Sequence, residues 1–553
     1  MVHTRDEVIR VMTENYLNSL NMANLPAPDI IQENILATVE TALKMENAMR
    51  DKGDKFKYIH ELLPAQIAMI LKKLYPIVKI DSGMRGGGVD NHDVLAIYMD
   101  NGEDAGTYVT DYAHLRQLIR KYHFTAKEKE TEETISILSD IVRKVKPCSD
   151  RNLIAVNNGI FDYETKQLLP FTPDRVFLSK SKVDYNPNAT NPMLLEPDGN
   201  VWDVESWMEE LSDDPEVVDL LWHILGAIIR PGVPWNRFAC LFSESGNNGK
   251  GTLCELMRQL CGEGTYASIS MADMGKEFAL ETMIGVSAII TDENDVGMFI
   301  DKAANLKAIV TGDVLQINRK HIAAITYKPR LFMVQCLNEM PKVKDKSNSF
   351  TRRQLFIPFT KTFTGHEKKY IKNDFLHRKD VLEYVLKRVL TLTPDYYELP
   401  EPQACKIALE EYREYNDPVR AFLAEILPEL QWDLVPWSFP YDVYKGWCKD
   451  TNPSGIVQGK NSFVKDVQAV LPSYPESGYI ALTPGKEKRD SRGRMTKCEP
   501  LIDKYNLERW MNPSYSGKAL ANTNARCTFP VIYQADKYSG LFRETPKESE
   551  END

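Results

Sequence analysis

The residue best placed for chemistry in this chain is Lys250. It closes a polar run, SESGNNGK from Ser243 to Lys250, which follows the apolar stretch Phe238–Phe242. Leu253, Leu256, Met257 and Leu260 then recur at helical spacing. A strand, a glycine-bearing turn and a helix in that order make a phosphate cradle. Glycines let backbone N–H groups converge on phosphate oxygens, the helix N-terminus adds partial positive charge, and the lysine reaches the terminal phosphates. Gly246, Asn247, Asn248, Gly249, Lys250, Gly251 and Thr252 would line it. The strict pattern G-x-x-x-x-G-K-[ST] is broken twice, by Glu244 at the first glycine and by Gly251 at the hydroxyl position. An ordinary capped turn would look similar, so the partners such a loop needs must be sought elsewhere in the chain.

Three further groups supply them. The apolar run from Val286 ends in Asp292 and Glu293. A Mg-nucleotide site needs one carboxylate for the metal, here Asp292, and one to polarise the attacking water, here Glu293. A second apolar strand in PRLFMVQCLNEMP ends at Asn338, whose amide can bond a γ-phosphate or orient water. Arg352 and Arg353 precede the apolar strand QLFIPF, and a guanidinium fork there can stabilise charge on a transferring phosphoryl group, often across a subunit boundary. Between these lies VLQI, the polar tip Asn318-Arg319-Lys320-His321, and IAAITY, which together read as a hairpin. Its three donors, Arg319, Lys320 and His321, suit contacts to a DNA backbone.

In this order the pieces resemble superfamily III helicases of small DNA viruses, phages and mobile elements, and more closely the poxvirus and phage/plasmid primase–helicase family. The loop GNNGKGT, the strand end IITDEN, the TGD…RKH hairpin, CLNEMP and TRRQLFIPF carry the resemblance, with LIAVNNGIFDYETKQLLPFTP ahead of them. The resemblance implies an α/β fold with an AAA+-type P-loop core and parallel sheet, assembled as a ring, commonly a hexamer. It implies ATP and Mg²⁺ as cofactors, with Lys250, Glu293, Asn338, Arg353 and Arg352 catalytic. Asp292 and Thr252 would serve the metal, because Gly251 lacks the usual hydroxyl. Of the two arginines Arg353 is favoured, since it abuts the strand. The implied activity is ATP-dependent translocation on single-stranded DNA and unwinding of forked DNA, 3′ to 5′, with a separate primase or initiator as a possible partner. Two other readings stay open. One is an origin-binding initiator whose C-terminal domain recognises duplex DNA. The other is a small-molecule kinase, against which stand the Asp292-Glu293 pair, the Asn338 strand and the chain length.

The elements that must position these groups divide the 553 residues as follows. Residues 1–125 are a mixed, mostly helical N-terminal region, with helical periodicity over Ile30–Ala48 and Ile59–Leu74 and a hairpin over Asp90–Thr110. Asp100 lies in that hairpin's turn, and no acidic-x-acidic pair on a strand accompanies it, so primase chemistry is not expected. Residues 126–200 form a small β-containing domain in which Asp162, Asp184 and Tyr185 are structural. Residues 201–235 are a helical collar, or equally a plain core helix; 236–395 are the ATPase core. Residues 400–545 contain helices with Tyr441, Tyr444, Trp447, Phe463 and Val464 inward and a basic segment, Thr483–Lys497, which resemble the family's winged helix. Residues 546–553 are an acidic tail.

Bulk composition agrees with this division. Hydrophobic content of 43% and charged content of 27% fit a globular chain with real cores. Net charge of −11 argues against wholesale coating of nucleic acid but leaves room for a local basic channel. The nine cysteines form no C-x-x-C pair and are expected to be reduced. No apolar run is long enough for a membrane span and no signal peptide is evident, so a cytoplasmic location in a bacterial host is expected.

Overall fold

The computed structural model describes residues 4–81, 94–295, 297–300, 303–320, 322–345, 347–451, 457–482, 498–511 and 539–543. The chain divides into two compact units, Met1–Leu409 and Glu410–Asp553.

The first unit begins with helices α1 (Arg5–Ser19), α2 (Pro28–Ala48) and α3 (Pro64–Leu74). Thr4 caps α1 by accepting from the Glu7 N–H, and Glu7 accepts in return from the Thr4 N–H. Helix α2 buries Ile31, Ile35, Val39 and Leu43 along one stripe. The periodicity that suggests a helix from Ile59 is cut short, because Pro64 can occupy only the first turn and so starts α3. Strands β1 (Ile77–Ile80), β2 (Val94–Tyr98) and β3 (Tyr108–Val109) follow, then helices α4 (Tyr112–Tyr122) and α5 (Glu128–Ile141) and strand β4 (Lys144–Val145). They form a sheet in the order β3-β2-β1-β4. The expected hairpin is the β2–β3 pair, with Ile97 opposite Val109; residues 90–93 of it lie outside the described residues.

Strands β5 (Leu153–Val156), β6 (Gly159–Asp162) and β7 (Gln167–Leu169) make the small antiparallel sheet. Its Asn157-Asn158 turn is anchored by the residues read as structural. Asn157 donates to Asp184 Oδ1 at 2.7 Å, and Asn158 exchanges two bonds with the Tyr185 backbone. A short hairpin, β8 (Leu194–Leu195) with β9 (Val201–Trp202), leads to α6 (Val204–Glu209) and α7 (Pro215–Ile228). Residues 201–235 thus carry two helices. Asp203 caps the first and Asp214 the second, with Pro215 opening α7. Leu220, Leu221, Ile224, Leu225 and Ile228 of α7 are fully buried and share one core with the sheet that follows.

That sheet is built from β10 (Phe238–Phe242), β11 (Tyr266–Ala267), β12 (Ala288–Thr291), β16 (Phe332–Leu337) and β18 (Gln354–Pro358), with α8 (Lys250–Cys261) after β10. Strand β13 (Phe299–Ile300), helix α9 (Ala304–Thr311) and the hairpin β14 (Leu315–Arg319) and β15 (Ile322–Tyr327) lie between β12 and β16. Strand β17 (Lys342–Val343) and helix α10 (Asn348–Thr351) precede β18, and α11 (Lys369–Asn373) and α12 (Lys379–Leu390) follow it. The order is β11-β12-β16-β10-β18, and every pairing is parallel. Continuous apolar runs such as FACLF and FMVQCL are what a sheet covered on both faces requires.

At the end of α7 Arg230 is 1% exposed, yet its guanidinium nitrogens meet no hydrogen-bond acceptor among the described residues. Aromatic rings take that role: Tyr163 at 3.8 Å, Tyr396 at 4.8 Å, Trp235 at 5.3 Å and Tyr397 at 5.4 Å from the guanidinium carbon.

Helix α13 (Gln403–Asn416) is followed by α14 (Pro418–Glu429), which Asp417 caps. The second unit continues with β19 (Leu434–Pro436), α15 (Ser438–Thr451), α16 (Lys460–Val470), β20 (Tyr479–Leu482), α17 (Leu501–Lys504) and β21 (Gly540–Arg543). Its sheet, β19-β21-β20, is antiparallel. Tyr444, Trp447 and Phe463 are buried as read from the sequence, and Tyr441 and Val464 are half-buried against them. The basic segment 483–497 and the acidic tail lie outside the described residues. Cys498 is disulfide-bonded, which corrects the expectation of reduced thiols throughout.

Lys180, 3% exposed, donates to Ala105 O at 2.8 Å. Burial, helped by Lys182, pushes its amine down to about 8 from 10.5. Below that value it is charged in both folded and unfolded chains, and burial costs stability. Between 8 and 10.5 the folded chain releases its proton first, so stability rises with pH. Urea unfolding of Lys180→Met beside wild type should show the variant's relative stability falling across that window. A difference independent of pH would mean that burial does not lower the proton affinity of this amine.

Candidate functional site

The phosphate loop leaves the carboxyl end of β10, where Ser243 N–H donates to Leu337 O of β16 at 3.1 Å. Asn247 (φ 52°) and Gly249 (φ 87°) turn the chain through the left-handed region into α8. Phe363 N–H donates to Asn247 O at 2.7 Å, and Asn247 Nδ2 to Glu367 Oε1 at 2.9 Å. Asn248 is buried and bonds Ser245 O. Gly249 has no room for a side chain, since a Cβ would stand 2.6 Å from Leu211 Cδ2; a Cβ on Gly246 would meet nothing within 4 Å. Lys250 is 5% exposed, and its Nζ reaches Ser243 O at 3.3 Å. Burial pushes this amine below its ordinary value, with Cys336 and Cys254 opposing. A buried ammonium held by one long carbonyl bond is ready for an anion. The first N–H groups of α8 lack intrahelical acceptors by helix geometry.

Asp292 follows β12 at the same end of the sheet and meets Arg258 of α8 at 2.8 Å. Burial raises its carboxyl, but the Arg258 bond and charge outweigh this and hold it below the ordinary carboxylate value; Lys372 adds to the lowering. Glu293 is exposed beside it. Asn294 ties this strand end to the next, donating to Gln335 Oε1 at 3.1 Å and Cys336 O at 2.9 Å. Gln335, fully buried, reaches Ile269 O and Thr291 Oγ1. Cys254 of α8 and Cys336 of β16 touch at 3.3 Å between sulfurs. Asn338 is exposed just past β16. The ends of β10, β12 and β16 therefore bring Lys250, Asp292, Glu293 and Asn338 to one edge of the sheet.

Sequence reasoning missed Arg258, Asn294, Gln335 and Lys372. Arg258 is the one basic residue of α8 beyond Lys250, amid buried positions, which was a readable signal. Lys372 Nζ stands 3.8 Å from where a Cβ on Gly251 would lie. An ammonium thus faces the position where the strict loop pattern carries a hydroxyl, and only the fold brings it there. These residues fit a Mg²⁺-nucleotide. One carboxylate held ionised, and a hydroxyl at Thr252 in the first turn of α8, suit a cation that keeps waters and phosphate oxygens as its other ligands.

The arginines lie elsewhere. Phe238, the first residue of β10, donates to Arg353 O at 2.8 Å. The loop leaves after Phe242, so the strand rise puts about 13–16 Å between them, beyond the reach of an arginine side chain. Arg353 also bonds Ser349 Oγ at 2.9 Å and the Ser349 carbonyl, whereas the Arg352 side chain is exposed. The hairpin exists as read: β14 and β15 pair antiparallel, with a register shift between Ile317 and Arg319. Lys320 is exposed at its tip, where its N–H meets Glu281 Oε2 at 3.3 Å. His321 lies outside the described residues.

Three segments match family models. Residues 6–209 match "D5 N terminal like", residues 414–506 match "Poxvirus D5 protein-like", and residues 241–353 match a family of unknown function, DUF5906. Two of the three matches are thus to D5-type models. The third match spans the phosphate loop, the acidic pair, Asn338 and both arginines. Solved structures of the NrS-1 C-terminal region are also similar. One apo form of residues 305–718 covers 75% of this chain and 86% of its own at 14% identity and a TM-score of 0.39. Another covers 88% of this chain and 100% of its own at 14% identity and 0.40. No described helix is long and apolar enough to cross a membrane.

Gly249→Ala places a side chain at φ 87° and against Leu211. It should destabilise the protein by about 1–3 kcal/mol and weaken binding of an ATP analogue. Gly246→Ala should stay within about 0.5 kcal/mol of wild type. Denaturant titration and fluorescent-analogue binding would check both, and equal tolerance at the two glycines would remove the cradle's dependence on this turn.

Proposed function

We propose that this chain is an ATP-driven replicative DNA helicase of the superfamily III type, with an AAA+-type core working as a ring. The observation that carries the reading is the phosphate loop: a positive-φ glycine delivers a buried Lys250 to the carboxyl end of a parallel sheet, beside Asp292 and Asn338. In open α/β sheets ligands bind at such strand ends.

In this mechanism Lys250 Nζ exchanges the Ser243 carbonyl for β- and γ-phosphate oxygens, and the helix N–H groups bind the same phosphates. Asp292 and Thr252 would hold Mg²⁺, which supplies charge neutralisation on the phosphates when bound. Glu293, exposed at the strand end, orients the attacking water and accepts its proton, and the Asn338 amide fixes the water against the γ-phosphate. Arginine comes from a neighbouring copy. The separation of the arginines from the loop of their own chain supports this, and the exposure of Arg352 makes it the freer candidate beside Arg353. Hydrolysis around the ring moves the hairpins carrying Arg319, Lys320 and His321 along single-stranded DNA, 3′ to 5′. The helices and antiparallel sheet of the second unit support a winged-helix-like reading of that region.

Lys250→Ala should lower ATP turnover at least about a hundredfold and abolish strand displacement, with wild type stimulated by single-stranded DNA. Wild-type hydrolysis indifferent to DNA, with no displacement on any forked substrate, would sink the helicase reading. Arg352→Ala and Arg353→Ala should each keep ATP binding, and the variant lacking the finger should lose about a thousandfold in turnover; a monomeric form that hydrolyses normally would exclude a shared site. Lys320→Ala should keep basal hydrolysis and lose unwinding. Intact unwinding would remove the hairpin from the mechanism.

A further inference from the structure

Away from the phosphate loop, the first unit encloses a cavity of about 390 Å³. It opens where the N-terminal sheet, the small β domain and the root of the β14–β15 hairpin meet. Its volume is that of a site for one small organic ligand. Ile80, Val94 and Ile154 are apolar members of its lining, and Phe177 and Tyr327 are aromatic ones. Hydroxyls interrupt this surface at Thr110, Ser149 and Ser179. Tyr327 Oη accepts the Gly285 N–H at 3.0 Å, which leaves its own proton to donate. Burial pushes this phenol above its ordinary value and keeps that proton in place.

The charge around the cavity is uneven. Lys146, Lys328 and Arg330 line it along with the buried Lys180. The acids are Asp81, already paired with Lys144 at 2.9 Å, and Asp150. A lining of apolar and aromatic side chains with hydroxyls and cations among them matches a planar polar ring that carries a phosphate. A fatty chain would leave the hydroxyls unused, and a sugar would leave the cations unused.

We propose that this cavity is a second nucleotide site, taking one nucleotide unit either free or as part of a DNA strand. It shares no lining residue with the phosphate loop. Because Tyr327 closes β15, an occupant touches the base of the hairpin.

The test uses the full chain carrying Lys250→Ala, so that the phosphate loop contributes little. Calorimetry with thymidine monophosphate and with a short oligothymidylate should show saturable binding of at least one probe. Binding of the monophosphate assigns a free nucleotide; binding of the oligonucleotide alone assigns a strand. Ser149→Trp fills the site from an exposed position, and Lys328→Glu reverses one exposed charge, so neither threatens the core. Each should weaken the bound probe at least about tenfold with an unchanged melting temperature. Absence of saturable binding by both probes, or unchanged affinity in either variant, overturns the site.

Discussion

The double-sided pairing of β10 is the constraint on which the rest of this structure depends. Strand β10 bonds β16 on one edge and β18 on the other, in parallel, with both faces buried. A one-residue shift would exchange its two buried faces and misfit the side chains packed on each. Its carboxyl end is therefore a fixed point, and the loop that leaves it inherits that precision. The register with β16 sets where Ser243 meets Leu337, and the register with β18 sets how far the arginines stand from the loop.

Around that fixed point the electrostatics run against the chain as a whole. Net charge is −11, yet Lys250, Arg258 and Lys372 converge on the edge where Asp292 stands. The Arg258–Asp292 pair keeps the carboxylate ionised while it faces a partner of its own chain. Two cations on α8 thus divide the work, Lys250 at the helix start and Arg258 further along it against the acid. Asn294 and Gln335 hold the strand ends together with neutral hydrogen bonds, so the site's geometry does not rest on charge alone.

Much of this was legible in the sequence. The loop, the acidic strand end, Asn338 and the hairpin were visible because each couples an apolar run to a polar tip, a contrast that period and composition expose. Helix boundaries were less so: α3 starts at Pro64, where the proline's place in the first turn overrides the periodicity from Ile59. The partners of the site were hidden for another reason. Lys372 lies over a hundred positions beyond Gly251 and meets it only through the packing of α11 beside α8. Arg353 reads as a free guanidinium next to a strand, but its bonds to Ser349 depend on the short turn of α10.

The ring of aromatics around Arg230 has a consequence of its own. Tyr163 belongs to the small β domain, Trp235 to the entry of β10, and Tyr396 and Tyr397 to the segment after α12. One cation therefore fastens three stretches of chain that are distant in sequence. Its attraction to ring faces involves no acid that could be protonated, and its burial shields it from salt. Surface ion pairs such as Lys166–Asp395 at 2.7 Å loosen in brine or at low pH. The Arg230 joint has neither weakness, and it ties the small β domain to the strand entry of the parallel sheet under conditions that loosen such pairs.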